Sequence, residues 1–380
     1  MITIGIECES IEDRSWGVGK LLQKLLEELA KNKELEGKFR FYLYFKKQIP
    51  DYPFLKNAIF TTRVSNTPSF SVYYYIWLPI RQLFDHIHVM FYPNYMLPLL
   101  HVGTSMVMLT DDIHYEMRNP QLPFRYRLAY WIFGNWAARR ATRIMAISES
   151  SKKELVRLFG IDSRRIFVNH LGVDLQTELR GENKELKINN KPLILNSNPF
   201  ILCVGQMFPR RHAREVMLAF ENIAPLFSDT NLLMIGTDKY NPPRVRNLAN
   251  AINGRLQSQR ILWKEYVPQE ELNQLYADAQ AVVYVSDREA FGLPPIEALA
   301  HGSVPIVADT PVSHEIFGNH AFFVAQPITT ELIAEAMHDA LTPSPQQNEI
   351  LSARRDILKK FTWNMFAQRF LVQIQYLCSK

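Results

Sequence analysis

The chain has 380 residues, with 43 basic and 38 acidic side chains, a net charge of +5, and 47% hydrophobic against 21% charged residues. That length predicts about two domains and that composition excludes a disordered chain. The small basic excess argues against a dedicated nucleic-acid binder. Three distant cysteines (Cys8, Cys203, Cys378) exclude a zinc spacing or a disulfide framework, so a cytoplasmic protein is expected.

Residues 1–9 lack a basic n-region and read as a buried first strand over 2–6 rather than a secretory signal. A helix follows over about 18–32, with Leu21, Leu22, Leu25, Leu26 and Leu29 on one face. Strands are predicted at 39–45, 106–109, 144–147 and 166–169. No run of about 18 uninterrupted apolar residues occurs; the nearest, 70–80, is short and aromatic. Ser148 offers an N-cap to a helix carrying Leu155 and Leu158. The polar stretch 183–199 reads as a linker. Apolar runs then restart at 200–204, 231–235, 260–263, 281–285, 304–307 and 321–324. Thr342-Pro343-Ser344-Pro345 breaks the rhythm before a last helical stretch, 350–377. Alternating strands and helices predict an α/β protein of two doubly wound, Rossmann-like domains facing a central cleft. The domains are 1–185 and 186–345, and the C-terminal helical segment 346–380 is expected to pack back toward the first.

In such sheets ligands bind beyond the carboxyl ends of the strands, so the strand-to-helix turns carry the candidates. Trp16-Gly17-Val18-Gly19-Lys20 follows the first strand and opens a helix. Its glycines allow a ligand close to the backbone, although a tight turn reads the same way. Leu22 stands where a dinucleotide fingerprint needs a third glycine. Arg210-Arg211 follows the first strand of the second domain and suits a diphosphate, because cations at a helix start are disfavoured without an anion. The run from Ser286 to Gly302 places Glu289 in a loop and Glu297 in the first turn of a helix marked by Pro294-Pro295. Carboxylates accept from sugar hydroxyls; equally, Glu297 could complement the helix dipole and Glu289 could be loop surface.

The Glu289–Glu297 segment resembles that of retaining nucleotide-sugar glycosyltransferases of the GT-B fold, family 4 (glycosyl transferases group 1). Gly17–Gly19, Arg210-Arg211 and Gly172-Val173-Asp174 match the family in order, as do Ile147-Ser148-Glu149-Ser150-Ser151-Lys152 and Gln269-Glu270-Glu271-Leu272. The resemblance implies an acceptor-side first domain and a donor-binding second one. It implies that Arg210 and Arg211 neutralise the donor diphosphate, that Glu297 holds the ribose and that Glu289 contacts the transferred sugar. Phe291, Gly292 and Leu293 would face sugar and phosphates, Tyr266 and Val267 the base, and Gly17 and Gly19 would close over the donor. Asp112 matches a first-domain aspartate, so the catalytic set implied is Glu289, Asp112, Arg210 and Arg211.

Four positions depart from the pattern: Arg211 replaces a lysine, Ala290 and Glu265 replace glycines, and Asp111 replaces the histidine of a His-Asp pair. The family implies no cofactor beyond the nucleotide-sugar substrate, and the arginines take the place of a metal ion. His86 and His88 lack a completing ligand and read as a surface pair. Residues 117–143 hold six arginines, no acid, and interleaved Tyr126, Tyr130, Trp131, Phe133 and Trp136. This suits either a half-buried helix or a peripheral contact with an anionic membrane on its cytoplasmic face. The expected function is transfer of a hexose, mannose from GDP-mannose by preference, to a glycan or lipid-linked acceptor in surface polysaccharide synthesis. A nucleotide-sugar epimerase or hydrolase, and a silent nucleotide-sugar-binding protein, are the alternatives.

Overall fold

The computed structural model describes residues 1–12, 17–67, 69–119, 122–174, 187–188, 191–192 and 198–379. Trp16 and most of the expected linker lie outside them. The chain forms two units, Met1–Gly172 with Phe361–Lys380, and Val173–Lys360.

The first unit is built on seven parallel strands: β1 (Ile2–Glu7), β2 (Phe39–Phe45), β3 (Phe60–Val64), β4 (Val89–Tyr92), β5 (Thr104–Met108), β6 (Arg143–Ala146) and β7 (Ile166–Val168). Their order is β3-β2-β1-β4-β5-β6-β7. Covered on both faces, such strands read as continuous apolar runs, and β4 is buried at every position. β3 and β4 go beyond the strands expected from sequence. So does the helical stretch made of Phe70–Val72, a π-helical turn Tyr73–Trp77 and Leu78–Phe84. It buries Tyr73, Tyr74 and Leu78 in one cluster with Ala137 and Ala138 of the Phe124–Arg140 helix and Leu155 of the Glu149–Phe159 helix. These three helices therefore share one face of the sheet. The Ser148 cap is present: its Oγ accepts from the Ser151 amide at 2.9 Å.

On the first sheet Phe370 meets Phe91 of β4 edge-on at 5.0 Å, and Asn169 Nδ2 donates to the Phe366 carbonyl at 3.1 Å. A Cβ on Gly172 would overlap the Trp363 backbone, so only glycine admits this close approach. The single last helix expected over 350–377 is in fact two, Pro345–Leu358 in the second unit and Trp363–Cys378 in the first. Thr362 causes the break: its Oγ1 caps the Met365 amide at 3.2 Å and starts a new helix.

Within the expected linker, β8 (Lys187–Ile188) and β9 (Lys191–Pro192) form a short antiparallel pair. The second unit has six parallel strands, β10 (Phe200–Val204), β11 (Asn231–Ile235), β12 (Ile261–Lys264), β13 (Ala281–Tyr284), β14 (Val304–Ala308) and β15 (Phe322–Val324). Their order is β12-β11-β10-β13-β14-β15. The order reverses direction between β1 and β4 in one sheet and between β10 and β13 in the other. These are the switch points at which adjacent loops diverge and leave a crevice. Among the described residues no helix is long and apolar enough to cross a membrane.

Candidate functional site

The loop after β10 and the loop after β13 meet at the second switch point. Gly205 starts the first loop with φ 123°, and a Cβ on Gly236 would overlap its carbonyl. Pro209–Arg211 then form a single 3-10 turn ahead of the Ala213–Ile223 helix. Arg210 Nη1 donates to Glu289 Oε1 at 2.8 Å and to the Arg288 carbonyl at 3.0 Å. Arg211 Nε donates to the same Oε1 at 2.9 Å, and its Nη1 to the Gln206 carbonyl at 3.2 Å. The Arg211 guanidinium also lies over the Tyr284 ring, 5.0 Å from its centroid.

Two cations on one carboxylate oxygen set the electrostatics. Burial pushes the Glu289 carboxyl up, but the Arg211 and Arg210 charges outweigh it and hold the group below its ordinary range. Burial raises the Tyr284 phenol well above its usual value, so it stays neutral. The cluster thus carries two positive charges against one negative, a net cationic site at a strand end.

The Leu293–His301 helix begins beside it. Gly292 is its N-cap at φ 89° and Gly302 its C-cap at φ 95°. Pro294 and Pro295 carry no N–H, so the helix start offers an anion the Leu293 amide together with the Phe291–Gly292 turn. Phe291 is buried. Glu297 is not in the first turn as expected but in the second, because the helix opens at Leu293. It is 8% exposed, and Tyr276 donates to its Oε2 at 3.1 Å. Tyr266 is exposed and the neighbouring Val267 is buried in the core. A pocket joins Glu289 and Gly292 to Ser286, Thr310 and Ser313.

The structure brings Arg210, Arg211, Glu289 and the start of the Glu297 helix together in one unit. Asp112, Gly17 and Gly19 belong to the first unit, where Asp112 opens the short Asp112–Glu116 helix. Gly17 is the N-cap of Val18–Lys31 at φ 73°, and Gly19 is buried. Asp111 is buried, and burial raises its carboxyl to about 6 against the opposing Ser151 hydrogen bond. His114 packs edge-on against Phe159 at 5.5 Å.

Sequence reasoning missed three residues. Tyr284 had the appearance of an ordinary strand aromatic. Glu7 ends β1, where burial raises it to about 8; its Oε1 accepts from the Glu9 amide at 2.8 Å and from Tyr73 Oη at 3.2 Å. The one signal for it was an acid closing an apolar run. His212 is the third. Held at φ 50°, it bonds Asp287 Oδ1 through Nε2 at 2.7 Å, while the Asp287 amide donates to the Arg210 carbonyl at 3.0 Å.

His212 therefore stitches the two loops, and its charge is the fastener. The Glu215 hydrogen bond, and then Asp287 against the cost of burial, raise its pKa above 6.5. The raised value means the protonated clamp is complete below the ordinary histidine range and is lost as pH rises through the folded-state pKa. Affinity for a nucleoside diphosphate is expected to fall over that rise in wild type. His212→Gln should flatten the dependence. Titration calorimetry across pH checks this, and an unchanged slope in the variant would refute it.

Among the described residues no three His, Cys, Asp or Glu side chains are grouped to share a metal ion.

Two family models match the chain. Glycosyltransferase Family 4 covers residues 44–177 and Glycosyl transferases group 1 covers residues 184–356. The serotype-specific mannosyltransferase WbdA of Escherichia coli is 26% identical over 62% of this chain and 29% of its own length. The O-antigen chain mannosyltransferase RfbU of Salmonella typhimurium is 27% identical over 66% of this chain and 65% of its own. The chain thus spans under a third of the first relative and about two thirds of the second. WaaG, a glycosyltransferase involved in lipopolysaccharide biosynthesis, aligns with TM-score 0.69 at 16% identity, covering 98% of this chain and 99% of that one. Anabaena HepE, solved with UDP and glucose, aligns with TM-score 0.71 at 15% identity over 99% of this chain and 100% of its own.

Proposed function

We propose that this protein, which belongs to the group 1 and family 4 glycosyltransferases of the GT-B fold, is a retaining hexosyltransferase. It moves mannose from GDP-mannose to a glycan or lipid-linked acceptor in surface polysaccharide synthesis. The observation that carries the reading is the net cationic cluster of Arg210, Arg211 and Glu289 at the β10–β13 switch point. The mannosyltransferase relatives, at 26% and 27% identity, support the choice of sugar.

In this reading the sugar–phosphate bond breaks and the diphosphate departs onto Arg210, Arg211 and the Leu293 amide. These act as fixed donors aimed at the developing charge and take the place of a divalent ion. The acceptor hydroxyl attacks from the same face, and a departing phosphate oxygen takes its proton. Glu289 holds hydroxyls of the transferred sugar. Glu297, oriented by Tyr276, holds the ribose, with the base beside exposed Tyr266; Val267, packed in the core, is left out of the base contact.

The test is a panel of GDP- and UDP-sugars, scored by thermal shift and by nucleotide release. GDP-mannose should give the largest shift, with GDP released only when a mannose-containing glycan or glycolipid is present. Free mannose or an epimer formed without acceptor would replace this reading with hydrolysis or epimerisation. Tight binding with no release against any acceptor would point to a silent binding protein.

A further inference from the structure

Glu7 closes β1 at the switch point of the first sheet, beside β4, and is 1% exposed. Its two oxygens are treated differently. Oε1 meets the Glu9 amide at 2.8 Å and Tyr73 Oη at 3.2 Å. Oε2 is buried and has no hydrogen-bond partner. Native folds leave few buried polar atoms unpaired, and those they keep call for an account.

The contacts of Oε1 join two separate elements. The Glu9 amide belongs to the Glu9–Ile11 turn, the first element after β1. Tyr73 opens the π-helical turn Tyr73–Trp77, a wide turn of the kind that recurs at functional sites. Tyr73 Oη also lies 2.9 Å from the Tyr44 carbonyl of β2, to which the Cys8 amide donates at 2.8 Å. The next residue of the turn, Tyr74, reaches the far side of the switch point. Its Oη donates to the Met96 carbonyl and lies 3.3 Å from Asn94 Oδ1, both in the loop after β4. One turn thus fastens the two loops that flank the first crevice.

Hydrogen accounting gives Glu7 its part. Tyr73 has one hydroxyl hydrogen and faces two acceptors, the Tyr44 carbonyl and Glu7 Oε1. A protonated Glu7 removes the shortage, because its own hydrogen bridges to Tyr73 Oη while Tyr73 donates to Tyr44. An ionised Glu7 leaves two acceptors on one hydrogen and a charged Oε2 with no donor.

We infer that Glu7 is a positioning residue of the acceptor side: carrying its proton, it holds the turn after β1 and the tyrosine turn together and so sets both loops of the first switch point. The inference rests on the transferase reading above, in which the first unit receives the acceptor.

The neighbours agree with a neutral Glu7. Facing it are Cys8, Glu9 and Glu12 on its own loop, Tyr73 and Tyr74 on the π turn, and Tyr92 on β4. Tyr44 of β2 offers its carbonyl, its phenol being bound to Asp85 at 3.2 Å. Burial pushes the Cys8 thiol and the Tyr73, Tyr74 and Tyr92 phenols well above their ordinary values, so they stay neutral. Burial, reinforced by the Glu9 and Glu12 charges, keeps the Glu7 carboxyl protonated up to about 8. Above that, the buried charge is relieved by admitting water, which loosens both loops.

Sugar transfer by the full chain to a mannose-containing glycan, at saturating donor and rising pH, tests the inference. Above the Glu7 pKa, wild-type kcat/KM for the acceptor should fall by about tenfold per pH unit, through KM rather than kcat. Glu7→Gln, neutral at every pH, should keep the acceptor KM flat. Glu7→Asp, too short for both partners, should raise it throughout. Two readouts need no turnover. Hydrogen exchange over residues 7–12 and 70–77, compared at equal pH, should be faster in wild type than in Glu7→Gln once Glu7 ionises, and equal below neutrality. A folded-state pKa raised from 4.5 to about 8 loses its stabilisation over that interval, so the melting temperature of Glu7→Gln should climb relative to wild type across it and then level. Three results would overturn the role of Glu7 and leave transfer intact: a wild-type pH profile in Glu7→Gln, equal exchange at every pH, or a melting shift with no change in acceptor KM. Nucleotide release that never depends on an acceptor would instead overturn the transferase reading, and the exchange comparison would still decide whether Glu7 holds the two loops.

Discussion

Glu289→Ala is expected to lower sugar transfer by about 10²–10³-fold, yet leave nucleoside diphosphate binding intact or stronger. In the free protein one Glu289 oxygen neutralises two guanidinium groups, at 2.8 and 2.9 Å. Removing a carboxylate from a half-buried set leaves unpaired cations and costs on the order of 1–3 kcal/mol, below the figure for a fully buried pair because these side chains are partly solvated. A bound diphosphate supplies the missing anion, so GDP should raise the melting temperature of the variant more than that of wild type. Initial rates and scanning fluorimetry measure the two halves separately. A wild-type rate would remove Glu289 from the reaction. A low rate with lost GDP binding would restrict it to organising the arginines.

Arg211→Ala should be nearly as damaging to turnover and more damaging to binding. This side chain makes its bond to Glu289, its bond to the Gln206 carbonyl and its contact with the Tyr284 face at once. Loss of one such donor is expected to cost about 10²–10³ in rate. The nucleoside diphosphate Kd should weaken by about ten- to a hundredfold, as for a lost charge-assisted hydrogen bond. Arg211→Lys keeps the charge and loses the planar fork, so it should recover binding better than rate. Calorimetry with GDP and single-turnover rates would check both. If Arg211→Lys behaved as wild type in every measurement, the forked geometry would have no part in the reaction.

Legibility in the sequence follows local physics. The Val18–Lys31 helix was readable because five leucines at helical spacing share one face, and all five are buried. The Leu293–His301 helix was readable from its prolines and its closing glycine. The Arg210-Arg211 pair before a helix was readable as a place that wants an anion, and the structure sets the Glu289 carboxylate against both. The register inside that helix was misread, because a proline pair marks a start only to within a residue or two, and Glu297 fell one turn deeper. The 70–84 helix was hidden by its aromatics, which lower helical propensity and blur the polar face. The last stretch looked continuous because a Thr362 cap resembles any surface threonine until its side chain meets an amide.

From the sequence alone came the α/β class, a chain of two parts expected to divide near residue 185 where the structure divides it after Gly172, and candidate residues for a diphosphate and sugar hydroxyls. These depend on composition, periodicity and turn chemistry, which are properties of neighbours along the chain. Tertiary structure alone decided that β10 lies beside β13, although 76 residues separate Val204 from Ala281. Only that adjacency puts both arginines on one oxygen of Glu289, stacks Arg211 on Tyr284 and lets His212 reach Asp287. It likewise put the 70–84 and Phe124–Arg140 helices on one face of a sheet, where Tyr75 stacks on Phe133. Strand order is set by which hydrophobic faces pair across the whole sheet, a long-range balance that no local window of residues contains.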